Sequence, residues 1–308
     1  MLKLDEIQKR LLMEIADLHE VPEGAYNIRS NGQSAGRIST ENIEIIPRED
    51  GQGLTIRIKP GTKNESVHIP VVMTKSGLKE LVYNDFYIGE NADIVIVAGC
   101  GIDNCGTQDS EHDGIHRFYV GKGVKIRYVE KHYGSGDGKG KRILNPGTEV
   151  YMEEDSSMEM EMVQIKGVDD TNRTTTAELA KGARLVVRER LMTHGTQNAV
   201  STYVVSLNGE GASADVVSRS VARDESYQKF DAKLVGNAAC SGHTECDSII
   251  MDKGKILAVP ALEANDLDAA LVHEAAIGKI AGEQIIKLMT LGLSEAEAEE
   301  QIINGFLK

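Results

Sequence analysis

The chain has 308 residues, of which 41% are hydrophobic and 27% charged, a composition that is typical of a globular protein and excludes long intrinsic disorder. The net charge of −14 argues against a broad surface for nucleic acid or anionic lipid. An aromatic content of only 4% argues against clefts that stack sugars or single-stranded nucleic acid.

The sequence also predicts a cytoplasmic location. It lacks an apolar run of about 18 residues, so no membrane-spanning segment is expected. The first residues do not form the basic start and apolar middle of a signal peptide. Four cysteines are too few for a disulfide scaffold, and we expect reduced thiols.

The first predicted element is an amphipathic helix within residues 1–22, which Val21-Pro22-Glu23-Gly24 is expected to end. Apolar residues recur there at helical spacing: Leu4, Ile7, Leu11, Ile15 and Leu18.

Residues 23–264 are predicted to be mostly β-structure. Short runs alternate apolar and polar residues, as in Met158–Met162, where the methionines are expected to fill a core. A loose phrase with glycine leading into a strand, such as Gly121-Lys122-Gly123-Val124, recurs about every 25 to 45 residues. Periodicity alone leaves a sandwich, a barrel and a β-helix open.

Residues 265–308 are predicted to be helical. Ser294-Glu295-Ala296-Glu297 has the pattern of a capping box, in which serine and glutamate satisfy the first amides of a helix. Gly292 separates this helix from a preceding one over 283–291. Such a segment either packs on the β-body or serves as a docking surface for another chain.

Two sets of residues have the chemistry of metal ligands. Cys100 and Cys105 with His112 and His116 have zinc or iron donors, but the loop between them and the short spacing favour turn and core roles over a metal site. The second set, within Cys240–Asp247 and at His273 and Glu274, combines thiol, imidazole and carboxylate; a buried cysteine and a surface glutamate are the alternative.

Nucleotide binding is not expected in this chain. The glycine-rich segment 134–141 lacks the spacing of a P-loop, and Arg142 stands where a magnesium-binding hydroxyl is needed. Any ATP hydrolysis is therefore expected in a partner.

Several ordered motifs resemble one known family. The motifs of the C-terminal third are Glu245-Cys246-Asp247-Ser248, Pro260-Ala261-Leu262-Glu263, His273-Glu274-Ala275, Gly292-Leu293-Ser294-Glu295 and Ile303-Asn304-Gly305-Phe306. Together with His112–His116 and Glu130–Gly134 upstream, they resemble SufB and SufD in their short archaeal and clostridial form. SufB and SufD are the scaffold components of the SUF iron–sulfur cluster assembly system.

The resemblance implies a mostly β fold, a right-handed parallel β-helix with a short N-terminal helix and a small C-terminal helical segment. It implies a non-enzymatic scaffold that forms a homodimer in place of the SufB–SufD heterodimer. It further implies that the C-terminal helices dock a SufC-like ABC-type ATPase. A sulfur donor and apo-protein recipients complete the implied partners, with a transient iron–sulfur cluster as cargo.

The resemblance also implies the cluster ligands. Cys246 matches the cysteine of the Cys-Asp-Ser motif of SufB, Glu274 matches the glutamate of the His-Glu-Ala motif, and His273 matches a contributing histidine of SufD. In a helix, adjacent residues point about 100° apart, so binding of one iron by both His273 and Glu274 would need irregular backbone or two subunits. The sulfur-accepting cysteine of long SufB falls at Val205.

Two other functions stay open from the sequence. One is a zinc-stabilised, non-catalytic adaptor that recruits an ABC-type ATPase. The other is a β-helical carbohydrate-active enzyme, against which the scarcity of aromatic residues counts.

Overall fold

A computed structural model describes residues 4–19 and 21–308, and these residues form a β-solenoid of about eight turns with one N-terminal and two C-terminal helices. The helices are α1 Glu6–Ala16, α2 Gly282–Thr290 and α3 Glu295–Phe306. The strands are β1 Ala25–Ser30, β2 Gln33–Ile38, β3 Ile43–Pro47, β4 Gly53–Ile58, β5 Lys63–Met73, β6 Lys79–Ile88, β7 Asp93–Asp103, β8 Ser110–Val120, β9 Lys125–Ser135, β10 Arg142–Leu144, β11 Gly147–Met152, β12 Ser157–Lys166, β13 Asp170–Leu179, β14 Arg184–Thr193, β15 Asn198–Leu207, β16 Ser213–Ala222, β17 Tyr227–Gly236, β18 Ser241–Ile250, β19 Lys255–Ala264 and β20 Ala270–Gly278.

From β4 onward, successive strands alternate between two facing sheets, except that β10 and β11 share one; before that, β1–β2 and β3–β4 are antiparallel pairs within a sheet. One sheet has the order β2-β1-β5-β7-β9-β12-β14-β16-β18-β20, and the other has the order β19-β17-β15-β13-β10-β8-β6-β4-β3, with β11 also between β8 and β13. Asp93 pairs in parallel with Lys125, and Ser213 pairs with Ser241, so a turn takes 32 residues early in the stack and 28 near its end. The predicted parallel β-helix is confirmed by this topology.

Glycine-containing corners explain the loosely repeated phrase. Gly123, Gly182 and Gly211 have φ values of 66°, 66° and 73°, in the left-handed region that side chains with a Cβ disfavour. Each lies where the chain passes from one sheet to the other. The Gly182 amide donates to the Glu210 carbonyl at 3.0 Å, so successive corners stack as the strands do.

The core is the space between the two sheets. Met158, Met160 and Met162 have exposed fractions of 0%, 1% and 0%, while Glu159 between them is exposed. Burial of such a side chain contributes about 1.5–3 kcal/mol, so repetition of this pattern stabilises every turn. The prediction of a core role for the methionines is confirmed.

Helix α1 packs on the outer face of the sheet that contains β5, β7 and β9. Asp5 and Gln8 form its capping box, and Leu11 and Ile15 are fully buried. The helix ends at Ala16, because Asp17 turns left-handed with φ 53°, several residues before the predicted end near Val21. Residues 1–3 and 20 of the predicted segment 1–22 lie outside the described residues.

The C-terminal segment corrects one prediction. Residues 265–308 were expected to be helical, but Ala270–Gly278 forms β20 and pairs in parallel with β18. Alanine, leucine and glutamate favour helix there, yet the pairing with β18 overrides that local preference. The two predicted helices follow as α2 and α3, and Ser294 and Glu297 form the expected capping box. Within the described ranges, every helix is too short or too polar to cross a bilayer.

Candidate metal centre

The three predicted ligands lie on β18 and β20, in the last turns of the solenoid. The strands are parallel, with Thr244 opposite His273 and Cys246 opposite Ala275. Side chains of a strand point alternately to its two faces. Cys246 and His273 therefore share the inner face of the sheet, whereas Glu274 lies on the outer face.

Cys246 is a buried thiol at the end of the core. It is 1% exposed and its Sγ lies 3.6 Å from the Ser248 Oγ, which is 2.9 Å from the Ser220 Oγ. Burial raises the pKa of the Cys246 thiol, and this effect exceeds the opposing effect of the Ser248 hydrogen bond. An ion that binds Cys246 must therefore displace its proton.

His273 lies one solenoid turn after Cys246. It pairs with Thr244, which is two residues before Cys246 on β18. Spacings of about 4.8 Å between strands and about 3.3 Å per residue place its Cα roughly 8 Å from that of Cys246. Its Nδ1 shares a 2.6 Å hydrogen bond with the Thr244 Oγ1. Burial, with a smaller effect of the charge on His243, lowers the pKa of His273 and favours the neutral imidazole that binds metals.

Glu274 meets a different set of side chains on the outer face. Its Oε2 lies 3.5 Å from the His243 Nε2. Glu245, two residues along β18, completes a group in which ligand atoms of all three residues lie within 4.8 Å of one another. Imidazole and carboxylate donors at this spacing are suited to a divalent transition metal.

Two further carboxylates shape this group, which we call the outer triad (His243, Glu245 and Glu274). Asp215 Oδ1 lies 2.9 Å from the His243 Nδ1, and this hydrogen bond is the main reason that the pKa of His243 is raised. The hydrogen bond with Asp247 raises the pKa of Glu245 because two neighbouring carboxylates resist double ionisation. Negative charge is thus concentrated beside an oriented imidazole.

The structure consequently divides the predicted ligand set. His273 and Cys246 are brought to one face, and Glu274 is placed on the other, since adjacent residues of a strand point in opposite directions. The prediction of helical geometry at His273 and Glu274 is wrong, because both residues lie on β20. The angle between their side-chain directions is therefore larger than the angle of about 100° in a helix. The sequence places Glu245 within the candidate segment Cys240–Asp247 without singling it out, and it assigns no role to Asp215. Period-two alternation around Cys246 is the signal that pairs Glu245 with His243.

Three of the four residues of the earlier cysteine–histidine set come together in the structure, and the fourth does not. Cys105 is exposed in a loop, whereas Cys100 is buried and lines a cavity of about 20 Å³ with His112, His116 and His132. His112 Nδ1 lies 3.0 Å from Glu80 Oε1. A C-x4-C pair that shares one ion is therefore not formed.

The interior also contains a buried ion pair that the sequence did not reveal. Arg173 contacts Glu130, and its Nε lies 3.7 Å from the Glu189 Oε1. Glu189 in turn accepts hydrogen bonds from Ser201, Tyr203 and Ser218: 2.6, 3.0 and 2.7 Å respectively. All these side chains are at inward positions, so a hydrogen-bonded polar cluster lies within the otherwise apolar core.

Comparison with known proteins identifies the family. The family model described as SUF system FeS cluster assembly, SufBD core domain, matches residues 80–306. An iron–sulfur cluster assembly SufBD family protein of Archaeoglobus fulgidus is 32% identical over 275 residues, 87% of this chain and 71% of that protein.

Two further relatives are similar to this chain. A SufBD family protein of Methanothermobacter thermautotrophicus is 28% identical over 260 residues, 83% of this chain, and the match spans 62% of that relative's length. The iron–sulfur cluster assembly protein SufB of Bacillus subtilis is 32% identical over 100 residues, 31% of this chain and 22% of that protein. Because the family match covers most of the 308 residues, this chain belongs to the SufBD family of the SUF iron–sulfur cluster assembly system.

Proposed function

We propose that this chain is a cytoplasmic scaffold on which a labile iron–sulfur cluster is assembled and then transferred to apo-proteins. The observation that carries the proposal is the position of Cys246 and His273 on one inner face in the last turns of the solenoid. Family membership supports the role in cluster assembly. The four free cysteines fit a reducing compartment.

The donor set suits temporary binding. One thiolate with an imidazole holds iron less firmly than four thiolates do, because imidazole is a harder ligand than sulfur. Cys246 must lose a proton to bind, so loss of iron is favoured whenever the thiol is reprotonated. Both features support a cargo that is bound and released.

A homodimer supplies the remaining ligands in this proposal. β19 and β20 are the terminal strands of their sheets, and neither contains a fully buried residue. Unpaired strand edges with apolar side chains favour pairing with another chain. Exposed apolar residues of these last turns are Leu257, Leu262, Leu267, Val272 and Ile277.

Helix α2 supports docking of a SufC-like ABC-type ATPase. None of its residues is buried, and Ile286 and Met289 are 62% and 43% exposed. An amphipathic helix that buries no side chain on its own chain offers an apolar stripe to a partner. ATP hydrolysis would then move the subunits and open the cluster site, and a separate sulfur donor would supply sulfide.

Anaerobic reconstitution tests the scaffold function. Wild-type protein with Fe³⁺, sulfide and a thiol reductant, which reduces part of the ferric iron, should develop visible sulfide-to-iron absorption, and Cys246→Ala should lose it. Cys105→Ala is the matched control, because this thiol is exposed and remote in the fold. An unchanged spectrum in Cys246→Ala would remove Cys246 from the site.

The alternative is a zinc-stabilised adaptor that only recruits the ATPase. The outer triad favours this alternative, since its donors also suit zinc. Elemental analysis of protein purified without oxygen separates the two functions: zinc with no iron uptake on reconstitution supports the adaptor.

A further inference from the structure

The outer triad is a compact set of donors on the face of the sheet opposite to the Cys246 thiol. His243, Glu245 and Glu274 lie on the solvent-facing side of the sheet, and Cys246 lies on the other side of the same strand. The triad brings three ligand atoms within 4.8 Å of one another on two adjacent strands. Its side chains are half-buried or exposed, so an ion reaches them from solvent.

We propose that His243, Glu245 and Glu274 bind a single Fe²⁺ ion from solution, at a loading site distinct from the Cys246 thiol. The identity of the ion as iron rests on the proposed scaffold function. The existence of a divalent-metal site rests only on the geometry of the triad.

The His243 ring is oriented for this role. Its Nδ1 is held by Asp215 at 2.9 Å, which directs Nε2 toward the Glu274 carboxylate at 3.5 Å. A metal-binding histidine typically has a carboxylate on its other nitrogen, because that contact fixes the ring and increases the basicity of the ligand. Asp215 supplies this contact from β16, the strand next to β18.

The charge at the site is also suited to a cation. Within residues 4–19 and 21–308, no lysine or arginine lies within 4.0 Å of the Glu245 or Glu274 carboxylates. Two arginines lie further out: Arg188 Nη1 is 3.9 Å from Asp215 Oδ2, and the charge of Arg219 acts on Glu245 more weakly than Asp247 does. Two carboxylates neutralise a divalent ion, and one imidazole selects a transition metal over Mg²⁺ or Ca²⁺. Three protein ligands leave coordination positions open for water and exchange.

In this proposal, Glu274 and Cys246 of the same chain do not bind the same ion. A sheet one strand thick separates Glu274 from Cys246, so the two do not share an ion there. Glu274 instead joins two residues that precede Cys246 in β18. Iron bound at the triad would lie one strand thickness from the thiol, outside the core.

Binding of Fe²⁺ without sulfide tests the proposal directly. Anaerobic calorimetric titration of full-length protein should give one Fe²⁺ per chain, and Mn²⁺ should occupy the same site with loss of the free-ion paramagnetic resonance signal. His243→Ala, Glu245→Gln and Glu274→Gln should each weaken binding by more than about tenfold, as expected for loss of a ligand or of its support.

Two variants serve as matched controls. Cys246→Ala should leave the sulfide-free Fe²⁺ affinity unchanged, because the thiol faces the core. Glu159→Gln removes an exposed carboxylate from the outer face of the same sheet and should have no effect. Circular dichroism checks that each variant is folded.

The outcomes separate the two proposals. If Fe²⁺ binding survives all three triad substitutions, or is lost in Cys246→Ala, the loading site is wrong and the scaffold function stands. If the triad binds Fe²⁺ but wild-type protein forms no cluster with sulfide and reductant, the scaffold function fails and a divalent-metal site survives.

Discussion

The middle and the end of the solenoid have similar strands in different surroundings. In β17, inward residues are buried at every second position, as Phe230 and Leu234 show. The next strand in that sheet, β19, has the same length but contains no fully buried residue. The difference arises because β17 is covered by a following turn and β19 is not. In the uncovered turn, apolar side chains and possible metal-binding side chains stay accessible to other molecules.

The helices repeat this contrast. α1 buries Leu11 and Ile15 against the sheet, whereas α2 buries none of its residues although it is also amphipathic. α3 is intermediate, with Ala298 and Ile303 buried. Buried side chains are therefore concentrated in α1 and the covered turns, whereas the surfaces available to other molecules lie toward the C-terminal end.

The largest expected effect is in the covered middle. Arg173→Met keeps the length of the side chain but leaves Glu130 and Glu189 as uncompensated buried charges. We expect the free energy of unfolding to fall by about 3–5 kcal/mol, measured by urea denaturation.

Lys253→Met is the matched control for this change. Lys253 pairs with Glu225 at 2.9 Å, with side chains 81% and 62% exposed, so its loss should cost less than about 1 kcal/mol. Equal losses in the two variants would contradict the view that the buried pair organises the middle turns.

A second prediction concerns acid sensitivity of the same region. Burial lowers the pKa of His116 to about 4, from an ordinary value of 6.5. Between these values the unfolded chain binds a proton that the native chain does not, so this group makes stability fall as pH decreases from 6.5 to 4. The contribution amounts to about 3 kcal/mol.

Urea denaturation across this pH range measures the contribution of His116. His116→Gln should reduce the slope and leave the part contributed by His68, whose pKa burial also lowers. His19→Gln, at an exposed position, should retain the wild-type slope. A wild-type slope in His116→Gln would show that other groups cause the acid sensitivity.

The smallest of the three effects is expected at the open end, on association rather than on folding. Val272→Glu places a charge on β20, where the side chain is 49% exposed. If this end forms the dimer, the dissociation constant should rise about thirtyfold, equivalent to about 2 kcal/mol, in sedimentation measurements. Val95→Glu, on β7 and 37% exposed, should leave the dimer intact.

Much of the fold was predictable because it is encoded locally. The alternation in Met158–Met162 predicts a strand with one buried face, and glycine phrases mark the corners. The capping box at Ser294 predicts the start of α3. β20 was mispredicted as helix because its residues favour helix and only the pairing with β18 makes it a strand.

The candidate site was predictable in residue type but not in arrangement. Ordered motifs identified Cys246, His273 and Glu274, yet their separation into two faces depends on the backbone at 273–274 being extended. Glu245 belongs to the Cys246 motif and Asp215 to no motif, and only the register of β16, β18 and β20 brings these two residues to His243.

The sequence by itself determined which residues face a core, where the chain turns, and which donor chemistry is present near the C-terminal end. These properties follow from side-chain type and short-range spacing. The tertiary structure decided which donors meet, because parallel strands about 28 residues apart become neighbours only when the turns stack in register. The tertiary structure also decided which turn stays uncovered. The inner face of a strand is buried only when turns stack on both sides of that strand.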